Sequence, residues 1–423
     1  MIRREPIPDA NARRLWQDRD FLLFWLAHVV SLSGTLVSSV ALLLLIFQLT
    51  NSAFLTSLTS VFQVLPYLLF GFVAGAMADR VDRKRLMVVS DVLNTLFLGS
   101  IPLAAALHLL TLPHIFAVSL LSATAFVWFD AANWGAVPAL VGRERVMAAN
   151  SAIWTADSFL TVAVPAVAGG LIAVVGAAAT ISLDALSYAF SAIALLLTVR
   201  AFHSARAEST TLADSLVQRM RADIREGLQF IWRHPLVRML TLTGFGSSMT
   251  GGAIGGLLVI YAVRGLGLSE HDGRIGLLYT AGAVGSLVIT PAIPWLAKRV
   301  PVGAITLVGL TASPILIVAL VLAPNFAAGC VIYALWAMAY ATVIQNGISF
   351  RQMVTPESLL SRVNTTARMI AWGGQPFGAA LGGVLAELSD VRTAFLIMAT
   401  AVAVSAVAGW FSPLRYGQVK LDA

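Results

Sequence analysis

Three carboxylates, Asp130, Asp157 and Asp184, fall inside long runs of apolar residues. An acid held in oil is expensive, and where one persists it commonly marks an ion or proton path, so a transferable proton is the chemistry these positions suggest. Asp157 is the preferred carrier. His28, in the first apolar run, titrates near neutrality when unperturbed and is a further candidate, although a hydrogen-bonded packing histidine is the simpler reading. Aromatic and amide side chains accompany these groups in place of a dense charge cluster: Trp128, Trp134 and Trp154 in the first half, and Trp336 and Trp372 in the second. Thr35, Gln63, Gln345, Asn346 and Gln375 complete the set. Such residues suit a cavity for amphiphilic small molecules held by apolar contact and few fixed hydrogen bonds, while the tryptophans equally suit a lipid interface. The six histidines show no metal-ligand spacing, so neither metal nor cofactor is expected. A membrane-embedded acyl or glycosyl transferase would need a convergent nucleophile or metal set, and Cys330, the single cysteine, is a poor substitute.

The elements that must position these residues follow from composition. Of 423 residues, 58% are hydrophobic and 12% charged, and the mean hydropathy is +0.84. A helix crossing about 30 Å of hydrocarbon needs on the order of 20 apolar residues, and this chain has enough for twelve crossings. Twelve runs lie at about 21–48, 53–78, 86–108, 113–141, 147–174, 178–199, 236–263, 273–297, 301–323, 325–353, 362–387 and 391–411. The organisation expected is therefore an N-terminal segment 1–20, a six-helix bundle 21–199, a linker 200–235, a second six-helix bundle 236–411 and a tail 412–423. An amphipathic helix from about Leu212 to Trp232 occupies the linker. The first run is too long for a signal-peptide core and reads as a retained span.

A net charge of +7 invites a nucleic-acid partner, but the basic residues sit in short loops, not along an aromatic-studded stripe. When the loops are numbered alternately, 25 of the 28 Lys and Arg fall on the side of the N-terminus, and only Arg264, Arg274 and Arg392 fall on the other. The positive-inside rule then puts both termini and the linker in the cytoplasm, with the spans in the cell (inner) membrane.

The most specific string is Gly75-Ala76-Met77-Ala78-Asp79-Arg80-Val81-Asp82-Arg83-Lys84-Arg85, between the second and third runs. It resembles the signature loop of the major facilitator superfamily, Gly-x-x-x-Asp-Arg-x-Gly-Arg-Lys, with Asp82 in place of the second glycine. Gly75 would let two helices approach closely, and Asp79 can face the positive N-terminal end of another helix. The resemblance implies that this is the eleventh span, capped at Ser358 or Ser361, and that the contact latches one orientation of the two halves. Arg80, Arg83, Asp91 and Asp130 are read as partners in that latch.

Pro165 with Gly169 and Gly170 in the fifth run, and Gly374 with Pro376 in the eleventh, look like the helix bend of the antiporter branch, with Val164 and Ala168 replacing two of its glycines. Asp184, in Leu-Asp-Ala-Leu-Ser-Tyr, resembles a feature of drug exporters and is read equally as proton carrier or packing glue. Relatives often carry an acid after the first-span glycine, whereas here Gly34 precedes Thr35. The strings Pro138–Glu144, Arg225–Trp232 and Thr355–Glu357, in that order, look like the exporter branch that includes macrolide efflux pumps and the enterobactin exporter. The fold implied is all-α, with twelve transmembrane helices in two pseudo-symmetric bundles. The function implied is a monomeric secondary transporter exporting drug- or siderophore-like amphiphiles by alternating access in exchange for protons. An importer or facilitator on the same fold is the alternative.

Overall fold

A computed structural model describes residues 15–78, 81–200, 202, 213–356 and 359–415. Each apolar run becomes a helix, as a bilayer requires of a backbone that must satisfy its own hydrogen bonds. The first half holds α1 (Arg19–Thr50), α2 (Ala53–Ala78), α3 (Arg83–Ala106), α4 (Leu112–Val141), α5 (Val146–Val175) and α6 (Ala177–Leu197). The linker helix α7 (Ala213–Arg233) follows. The second half holds α8 (Pro235–Ile260, extended by a π-turn over Tyr261–Gly265), α9 (Ile275–Ile289), α10 (Ala292–Ala297), α11 (Val302–Val321), α12 (Phe326–Val354), α13 (Leu360–Leu388) and α14 (Val391–Trp410).

The eighth span, expected at 273–297, runs from Ile275 to Ala297 and is broken inside: α9 ends at Ile289 and α10 resumes at Ala292, because Pro291 lacks an N–H and its ring crowds the preceding turn. Eleven of the described spans are long and apolar enough to cross a membrane. The other two long helices are the linker helix α7 and α13, which carries Arg362, Arg368, Gln375 and Glu387.

The chain divides into two compact units, Met1–Ala41 with Leu69–Ser209, and Leu42–Leu68 with Thr210–Ala423. In the first unit Phe21, Phe24, Phe129, Ala132, Ala136 and Leu195 form a buried cluster from α1, α4 and α6. Asp82, the departure from the signature loop, caps α3 by accepting from the Arg85 N–H at 3.1 Å. The next turn is tied down by Lys84, whose Nζ donates to the carbonyls of Leu196 (3.1 Å) and Thr198 (2.7 Å) at the end of α6.

Asp18 precedes α1, and its buried carboxylate accepts from Arg200 at 2.6 Å and Arg145 at 3.3 Å. Burial alone would raise this carboxyl, but the hydrogen bond and charge of Arg200, the Phe21 N–H and the charge of Arg145 outweigh it and hold it below the ordinary range. A depressed carboxyl stabilises the fold above its unfolded value of about 3.9, and that contribution is lost as pH falls through the folded value. Asp18→Asn, which preserves a cap, is therefore expected to cost about 2 kcal/mol at pH 7. In thermal melts the gap to wild type should narrow below about pH 4.

In the second unit α8 and α13 meet backbone to backbone. A Cβ at Gly252 would collide with the Gln375 carbonyl, one at Gly374 with the Phe245 carbonyl, and one at Gly378 with the Met249 carbonyl. The glycines of the seventh and eleventh runs thus form one small-residue seam. The linker helix docks on the same α13: Arg362 pairs with Asp223 at 2.7 Å and with Glu226, and a Cβ at Gly227 would lie 2.6 Å from Thr366 Oγ1.

Candidate functional site

Two of the ionisable residues read from the sequence come together in the first unit. His28 Nε2 on α1 lies 2.6 Å from Asp157 Oδ1 on α5, the range of a charge-assisted hydrogen bond. The side chains keep 19% and 35% exposure, so the pair is not sealed in the interior. One turn earlier on α1, Trp25 Nε1 donates to the Ala152 carbonyl at 3.3 Å and fixes the same helix pair. Beyond it, Val37 packs on Val164 and Ala168. Those two positions replace glycines of the antiporter bend, so α1 and α5 meet here through side chains. Pro165 and Pro376 both lie inside unbroken helices.

Two turns along α1 from His28, roughly 10 Å by helical rise, Gly34 and Thr35 face α6. A Cβ at Gly34 would sit 2.6 Å from Asp184 Oδ1, so the missing side chain makes room for that buried carboxylate. Ser187 Oγ donates to Asp184 Oδ1 at 3.2 Å, and a 3.0 Å hydrogen bond joins Thr35 Oγ1 to Tyr188 OH. Thr35 on the first span thus presents a hydroxyl to a tyrosine that lies next to an acid on the sixth.

Asp91, read as a latch partner inside the third span, is wholly buried with Asn94 on α3. Its carboxylate lies next to the Ser191 hydroxyl of α6, with no well-formed hydrogen bond among the described residues. Asp79, Arg80 and Ser358 lie outside the described residues. Gly75 is exposed, and within its own unit nothing lies within 4 Å of where its Cβ would be. Arg83 turns to α4, donating to the Gly135 carbonyl at 3.2 Å, and a Cβ at Gly135 would meet its guanidinium. Asp130, on the same α4, is half-buried.

The cargo candidates differ in burial. Trp336 is corrected to a core residue: it is 4% exposed, its ring stacks between Tyr333 and Tyr340, and its Nε1 donates to Ser313 Oγ at 3.0 Å. Asn346 is likewise structural, donating at 2.8 Å to both the Val302 carbonyl and Thr306 Oγ1 on α11. Gln345 donates to Thr290 Oγ1 at 2.9 Å, and Gln375 to Tyr340 OH at 3.5 Å. Trp128, Gln63 and Trp372 remain half-buried, and Trp154 is exposed.

One structural tie carried no sequence signal. Glu387, in the last turn of α13, accepts through Oε2 from Ala53 N (2.7 Å), Phe54 N (3.3 Å) and Ser52 Oγ (3.2 Å), so a carboxylate 333 residues away caps α2. Beside it Arg264 stacks over Phe47 at 5.3 Å and donates to Asn51 Oδ1 at 2.9 Å. Glu387→Ala should cost about 1 kcal/mol in thermal melts. Glu387→Gln, which keeps an acceptor, should cost less.

Among solved structures, a peptide transporter superposes with a TM-score of 0.75 at 11% identity, covering 96% of this chain and 99% of that one. With the helix order, this defines the class: a multi-pass membrane protein with the major facilitator fold. The sequence model of the transmembrane secretion effector family matches residues 16–422, and the chain belongs to that family of the major facilitator superfamily. Among curated relatives, the multidrug efflux pump Tap of Mycolicibacterium fortuitum is 24% identical, over 93% of this chain and 95% of its own length. The enterobactin exporter EntS of Salmonella choleraesuis is 27% identical, over 88% of this chain and 87% of its own length. Both relatives are named for efflux or export.

Proposed function

We propose that this protein exports amphiphilic small molecules, drug- or siderophore-like, across the inner membrane in exchange for protons, with His28 and Asp157 as the coupling pair. The observation that carries the reading is the short contact between these two side chains on different spans. Asp157 takes the proton, and the pair is then neutral overall. Without it the pair carries one negative charge, held by the hydrogen bond between Asp157 and His28. Proton binding thus selects how α1 and α5 pack, and the hydroxyl-lined Asp184 is the second carrier. The two six-helix halves, 21–199 and 236–411, alternate access to a cavity walled by residues such as Trp128, Trp154, Gln63 and Trp372. The loop from Gly75 to Arg85 acts as the latch on that movement. The Lys and Arg bias supports cytoplasmic termini, and a monomer suffices for the cycle.

Transport direction is the test. Inverted membrane vesicles energised to an acidic lumen should accumulate a panel dye or siderophore in a way that a protonophore abolishes. Loss of substrate from the lumen under the same gradient would instead identify an importer.

A further inference from the structure

We propose that the second unit carries a binding site for the oxyanion head of an amphiphile, a carboxylate or a phosphate, centred on Arg351. Arg351 lies one turn from the end of α12 and is 4% exposed. Its Nε has no hydrogen-bond partner, and none of the ion pairs among the described residues includes this guanidinium. A cation taken out of water without a counter-charge is among the most costly arrangements a protein can keep, so the missing partner is expected to come from a ligand.

The surroundings fit one. Arg351 lines a cleft between α8, α12 and α13 whose other charged wall residue is Arg368, with no acid among them. Gly347, one turn before Arg351, and Gly244 line the cleft without side chains of their own, and Gly244 lets α8 pack closely on Ala371 of α13. The space left inside the cleft is about 10 Å³, room for roughly one water-sized group, so an oxyanion reaches Arg351 only as the side chains at the mouth give way. Arg368, exposed at the mouth, stacks over Trp372 at 5.2 Å, which presents a fixed cation beside an aromatic face. The remaining wall, including Leu240, Val343 and Ile348, is aliphatic and suits the apolar body of the same molecule. Arginine is the residue type that holds carboxylate and phosphate through a planar fork. In the sequence both arginines read only as topogenic charge.

Two sources supply this chemistry, an anionic phospholipid or the anionic head of transported cargo. The site does not depend on coupling or direction, so the test measures binding alone. Full-length protein in phosphatidylcholine nanodiscs is titrated with 1-naphthoate, and with 1-naphthamide as the uncharged control. In a parallel arm, phosphatidylglycerol replaces part of the phosphatidylcholine and the melting temperature is read. Naphthoate should bind wild type about tenfold or more tightly than naphthamide, or phosphatidylglycerol should raise the melting temperature, and Arg351→Gln should erase whichever response occurs. A response to naphthoate alone assigns the site to cargo; one to phosphatidylglycerol alone assigns it to lipid. Without anion, Arg351→Gln should melt no lower than wild type, since it removes an unpaired buried charge. Arg368→Gln, at an exposed position, should weaken the same response and carries the test if Arg351→Gln does not purify. Absence of both responses, or responses that persist in these variants, overturns the site.

Discussion

Asp157→Asn should reduce proton-driven accumulation in inverted vesicles to the level of vesicles lacking the protein, while exchange of labelled for unlabelled substrate without a pH gradient continues. The asymmetry is the point. An amide cannot take up the proton, but it fills the same volume beside His28 and accepts a hydrogen bond from it, so the helices still pack and move. His28→Asn should weaken coupling less, because the carboxylate that binds the proton stays. Asp184→Asn separates the two carriers. It leaves a protonophore-sensitive signal if His28 and Asp157 suffice, and the double variant removes what remains. Undiminished gradient-driven accumulation in Asp157→Asn would eliminate the pair as the coupling site.

Gly378→Leu should be the most damaging single change to folding. Its Cβ would collide with the Met249 carbonyl, a backbone atom that moves only if α8 and α13 separate. Overpacking of this kind costs about 3 kcal/mol. Gly373→Leu, five residues earlier on the same helix, is the control, since nothing lies within 4 Å of its Cβ. It should change stability by no more than about 0.5 kcal/mol. Monodisperse protein recovered after detergent extraction, with its melting temperature, reads both. Equal losses in the two variants would mean that helix propensity, not the seam, sets the cost.

Apolar runs made the spans legible to within about three residues, because a helix in hydrocarbon has to be apolar for its whole length. Interruptions were harder. Pro291 sits in a run that looks continuous by hydropathy, and its effect depends on backbone hydrogen bonding, which hydropathy does not register. Which face of a span a residue occupies was legible least, since helices that are apolar on all sides carry little periodicity. Trp336 and Asn346 were therefore read as cavity wall, yet both belong to packed contacts among α11, α12 and their neighbours. His28 and Asp157 were each legible as ionisable groups in apolar surroundings, but their pairing across 129 residues was not. The acids in the signature loop drew attention by resemblance. Glu387 and Arg351 matched no pattern, and their meaning comes from what they touch and what they lack.

Proton movement measured against substrate movement tests the central claim most directly. Protein is reconstituted in proteoliposomes holding a pH-sensitive dye, and a substrate gradient is imposed with no initial pH difference. Outward substrate flow should acidify the lumen with wild type, and Asp157→Asn should pass substrate with no acidification. A lumen that keeps its pH while wild type carries substrate outward would contradict proton exchange, whatever the direction of transport.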